Sequence, residues 1–80
     1  MISAAQAKEK TLETIHQTAK EFILNSVEPK IDEAIRFGQF TCTVNHTHNL
    51  TFQEAVTELL EKEGYTVIAE ERYYDIEWEN

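Results

Sequence analysis

Apolar residues recur at threes and fours through the first part of the chain: Leu12, Ile15, Ala19, Phe22, Ile23, Val27, Ile31, Ala34 and Ile35. That spacing lines side chains along one side of an α-helix and predicts a helix over about 3–37. Pro29 interrupts the stripe. Ser26, three residues earlier, could cap a new helix with Pro29 inside its first turn, where a missing N–H costs little. The segment therefore reads as one helix kinked near 25–29 or as two. Gly38 follows the last periodic residues and suits the left-handed position that ends a helix.

Beyond Gly38 the period drops to two. Phe40, Cys42 and Val44 alternate with Thr41 and Thr43, which predicts a half-buried strand over 39–45. Thr51 and Glu54 then form a T-x-x-E pattern in which each side chain can cap the other's backbone N–H. Phe52, Ala55, Val56, Leu59 and Leu60 fall on one face of the helix that follows, over 51–63, and Gly64 ends it. Tyr65, Val67 and Ala69, then Tyr74, Ile76 and Trp78, predict strands over 65–70 and 72–79 joined by a hairpin near Glu70 to Arg72. The fold class is α+β, a single small domain over 1–80 with the order α-β-α-β-β. A strand–helix–strand unit crosses over right-handedly and leaves its two strands parallel. With the third strand antiparallel to the second, the expected sheet is three-stranded and mixed, covered by the long first helix and the short crossover helix.

The first helix is too long for this domain. About 35 helical residues span roughly 50 Å, about twice the width of a domain of 80 residues. Either the chain folds back at Asn25-Ser26, or the outer end projects and buries Leu12, Ile15 and Ala19 against another chain. The region around Pro29 holds no glycine, which favours a projecting or kinked helix and a homo-oligomer.

Charge narrows the choice of partner. The net charge is −8, with six acids against five bases in residues 1–40 and nine against two in residues 41–80. Nucleic-acid affinity rests on lysine and arginine neutralising phosphates, so direct binding of DNA or RNA is not expected. A basic protein surface fits this charge, as does the plain role of keeping a small protein soluble. One cysteine cannot form an internal disulfide, and the chain shows neither a cationic start followed by an apolar run nor an apolar stretch of spanning length. The expected compartment is the cytoplasm, with no membrane association.

Candidate chemistry is sparse. His46 and His48 form an H-x-H pair before a helix start, a spacing that can place two imidazoles on one metal. A structural zinc site needs four converging ligands. The only other soft candidates are Cys42 and His16, Cys42 shares strand parity with apolar neighbours, and Asn49 or a distant acid would have to complete the coordination. Solvated loop histidines are the expectation, with no metal or other cofactor. Asn45-His46-Thr47 and Asn49-Leu50-Thr51 are formal glycosylation acceptors, but asparagine and threonine here also serve a loop and a helix cap. Two glycines, both used as helix stops, leave none for a phosphate-binding loop or a nucleophile elbow. Ser3 and Ser26 have no histidine and acid in a triad arrangement. No catalytic residues are expected, and the chain reads as a non-enzyme.

The remaining candidates are surfaces. Tyr65, Tyr73, Tyr74 and Trp78 fit the core of a hairpin, except that Tyr73 falls on the face opposite Tyr74 and Trp78. Asp75, Glu77 and Glu79 share that face, and Glu54, Glu58 and Glu61 follow helical spacing on the second helix. Two such rows could imitate the charge of nucleic acid and occupy a basic groove. The plainer reading, and the one preferred, is a solvated polar face on an edge strand, where charge also prevents aggregation.

The pattern of Gly38, Phe40, Leu60, Gly64, Tyr65, Val67, Tyr74, Ile76 and Trp78, running from AIRFGQFTCTV through AVTELLEKEGYTV to YYDIEW, resembles small accessory proteins of tailed bacteriophages. It covers about Ile31 to Trp78. The resemblance implies a viral origin, with action in the host cytoplasm or in the virion, and it carries no catalytic residue. Two functions follow as expectations. One is a binding protein that inhibits or modulates a basic host or defence protein through its acidic and aromatic surface. The other is a minor virion component that assembles through the first helix.

Overall fold

The computed structural model describes residues 1–79. Helix α1 runs Ala4–Phe22, passes through a π-helical turn at Ile23–Val27, and continues as α2, Glu28–Arg36. Then come β1 (Thr41–Asn45), α3 (Leu50–Lys62), β2 (Thr66–Ala69) and β3 (Tyr73–Glu77). The backbone at Phe22, Ile23, Val27 and Glu28 stays right-handed helical. The chain does not fold back at Asn25-Ser26, and Ser26 caps nothing.

The π turn has a cause in the side-chain spacing. Residues four apart on a regular helix rotate about 40° further at each step, so Ala19, Ile23, Val27 and Ile31 could not all face one core. The wider turn, in which the Glu28 N–H donates to the Ile23 carbonyl, takes up that drift. Ala19, Val27 and Ile31 are buried and Ile23 packs against them. Pro29 follows immediately, where the helical ladder is already displaced and an absent N–H removes little.

Both helix stops follow from glycine. At Gly38 (φ 71°) and Gly64 (φ 95°) the chain enters the left-handed region. Gln39 N–H then reaches the Ala34 carbonyl at 2.8 Å, and Tyr65 N–H reaches that of Leu60 at 3.2 Å. The start of α3 departs from expectation. Asn49 is its cap, accepting the Phe52 N–H at 2.9 Å, and the Thr51–Glu54 box is not the one used. Asparagine is the stronger cap, and it lies two residues nearer the strand.

The sheet order is β1-β3-β2, with both pairings antiparallel. β1 and β2 therefore run in the same direction, as the crossover requires, and β2–β3 is the expected hairpin. The expected mixed sheet is corrected: β3 inserts between β1 and β2, so no parallel pair forms. The central place suits β3, whose Tyr74 and Ile76 are both fully buried. Inward residues Cys42, Val44, Val67, Tyr74, Ile76 and Trp78 meet Ala19, Val27, Ile31, Val56 and Leu60 of the helices. Phe40, expected with that set, stays exposed because it precedes the strand.

All the helices lie on one side of the sheet, and its other side is open. The molecule measures 53 × 21 × 20 Å with a radius of gyration of 14.2 Å, against about 12 Å for a compact domain of this length. The excess is the outer part of α1, since residues 1–14 are all exposed.

Candidate interaction surface

The open face is built by alternation. Because Tyr74 and Ile76 point into the core, Tyr73, Asp75 and Glu77 must point out, and exposed Glu79 continues the row. The register sets Thr41 and Thr66 beside Glu77, Thr43 and Ile68 beside Asp75, and Asn45 beside Tyr73. Thr43 Oγ1 donates to Asp75 Oδ1 at 2.8 Å, holding that carboxylate in place. Ile68 is 51% exposed and Tyr73 37%, so the face offers one aliphatic and one aromatic contact beside its acids. No lysine or arginine falls in its three strand rows. The acidic strand is the central one, and the reading of its charges as protection for an edge strand is overturned: β1 and β2 form the edges.

The second acidic row lies elsewhere. Glu54, Glu58 and Glu61 are exposed on α3, within the helical layer. Glu54 and Glu58 line a crevice with Leu12, Ile15 and His16 of α1. The two rows occupy opposite sides of the sheet and form no single surface. Of the residues expected to mediate self-association, Ala19 is fully buried in the protein's own core and cannot serve. Ile15 is half-buried, and Leu12, at 50% exposure, faces the crevice beside α3.

The histidines are not solvated loop residues. His46 extends the inward parity of Cys42 and Val44 and is 6% exposed. Its Nδ1 accepts the His48 N–H at 2.9 Å, so Nε2 carries the proton and donates to the Glu70 carbonyl at 2.8 Å. Its ring stacks on Tyr74 at 4.1 Å. His48 meets Phe22 edge-on at 4.5 Å and Phe52 at 4.1 Å, with Nδ1 2.9 Å from the Tyr74 hydroxyl. Burial pushes the Tyr74 pKa up to about 12, so the hydroxyl keeps a proton to donate. This cluster joins α1, the β1–α3 loop, α3 and β3 through ring contacts and hydrogen bonds. With both His46 nitrogens engaged it does not fit a metal, and no group of three or more histidine, cysteine or acidic side chains among the described residues is arranged to hold one. Period two, carried one step past Val44, was the signal for His46; nothing in the sequence placed His48 against Phe22.

Among the described residues no helix is long and apolar enough to cross a membrane. No family model matches the chain, and no curated protein or solved structure is found similar to it.

Proposed function

We propose that this protein acts by binding another protein, without catalysis, through the open sheet face of Tyr73, Asp75, Glu77 and Glu79. The observation that carries the reading is that a side of the sheet left bare by every helix bears carboxylates on its central strand. The partner presents lysine and arginine together with an apolar spot for Tyr73 and Ile68. Complementary charge steers such encounters and selects among partners. In keeping with the resemblance to phage accessory proteins, the partner is a basic host or defence protein that binding inhibits or modulates. Retention of one basic protein from bacterial lysate should fall steeply as salt is raised, because exposed charges are screened beyond about 8 Å at physiological ionic strength. Retention indifferent to salt would remove the acidic face from the mechanism.

A second reading draws on the exposed outer part of α1. The N-terminal part of α1 extends past the body, a shape suited to assembly into a larger particle as a minor virion component. Recovery of the protein in fixed proportion from purified virions would support that reading over the first.

A further inference from the structure

The two edges of the sheet differ in a way that bears on self-association. Trp78 N–H donates to the Phe40 carbonyl and His46 N–H to that of Arg72, both with β1 alongside β3. These bonds fix the phase of the ladder. The backbone groups of Phe40, Cys42, Val44 and His46 face β3, and those of Thr41, Thr43 and Asn45 face away, along the free edge. That edge carries no proline, bulge or charge, the devices that usually blunt one. Residues 37–53 include no aspartate, glutamate, lysine or arginine, in a chain 28% charged. The β2 edge is different, because Glu63 precedes it and Glu70 and Glu71 follow it.

We infer that β1 is the contact by which two copies of this chain join into one continuous six-stranded sheet. For a chain of net charge −8, approach to its own copy is least repulsive along its uncharged stretch. The register closes on itself. A two-fold axis at Thr43 sets Thr43 opposite Thr43 and Thr41 opposite Asn45 of the second copy, so all three outward-facing residues meet outward-facing residues. A groove of about 180 Å³ runs between the β1 edge and α2, lined in part by Lys30, Glu33 and Phe37. Lys30 and Glu33 are opposite in charge and both line it, so a two-fold contact there can pair Lys30 of one copy with Glu33 of the other. Phe37, 74% exposed, and Phe40, 53% exposed, lie at the same end of the edge and gain cover. The inference stands independently of the basic partner, though the dimer would place two acidic rows on one extended face.

Sedimentation and cross-linking test it. The wild-type chain at about 100 μM, well above a micromolar dissociation constant, should sediment at twice its 9.3 kDa mass. Thr43→Pro should return it to the monomer with its circular dichroism intact, since the N–H removed faces the free edge. Should Thr43→Pro fail to fold, Thr43→Lys, which sets two like charges at the axis, supplies the same readout. Ala69→Pro, at the β2 edge, should leave the dimer in place. In a Cys42→Ser background, Thr43→Cys should oxidise to a disulfide-linked dimer, because directly opposed Cα atoms lie about 5.5 Å apart, within disulfide reach. A wild-type monomer at that concentration, a folded Thr43 variant that stays dimeric, or a dimer dissolved by Leu12→Glu instead would overturn the inference.

Discussion

His48 sits where α1, α3 and β3 meet, and its protonation is tied to folding. Burial, and secondarily the neighbouring His46, holds its pKa below the ordinary 6.5. The unfolded chain takes up the proton near 6.5 and the folded chain only at lower pH. The stabilisation is therefore full above pH 6.5 and is lost as pH falls from there through the folded value. Unfolding of the wild type and of His48→Gln should diverge accordingly: from pH 7.5 down to about 5.5 the wild type loses stability relative to the variant. Parallel curves would show that His48 titrates freely. Tyr74→Phe probes the same cluster from its other end. Removing the hydroxyl leaves His48 Nδ1 without its partner while the stacked rings remain, and denaturant titration should register a loss of about 1–2 kcal/mol. A neutral result would mean that water replaces the hydroxyl.

At the scale of elements, the helix ends distinguish the observed start of α3 from the one its sequence suggested. Asn49→Ala should cost about 1 kcal/mol and Thr51→Ala less than about 0.5 kcal/mol, measured by denaturant unfolding. The reverse order would restore the Thr51–Glu54 box. Both caps were written in the chain, but the choice between them depends on where the preceding strand delivers the backbone, which no local pattern records. The C-terminal stops were easier to read, because only glycine enters the left-handed region at little cost and the chain has just two. Gly64→Ala should destabilise by about 1 kcal/mol: nothing lies within 4 Å of the added carbon, so the whole cost is backbone strain. The π turn was legible only as trouble near Pro29. Its reason, the four-residue drift from Ala19 to Ile31, emerges once those residues are known to share a core.

For the whole molecule, periodicity was enough to place each element, since alternation and the helical stripe both report which side chains avoid water. Strand order was not legible. Local pattern says that β3 follows β2 but not that it slides between β2 and β1, and this insertion makes the acidic strand central and aims its carboxylates at an uncovered face. The same step separates Asp75 and Glu77 from Glu54 and Glu58, residues that the sequence treated as equals. Because the two pairs bear the same charge on opposite sides of the protein, neutralising one or the other changes location while holding net charge constant. Lysate capture with the wild type, Asp75→Asn/Glu77→Gln and Glu54→Gln/Glu58→Gln in parallel is therefore the most direct test of the proposed binding face. The same basic protein should be retained by the wild type and the helix variant and lost by the sheet variant. Retention by the sheet variant together with loss by the helix variant would contradict the account.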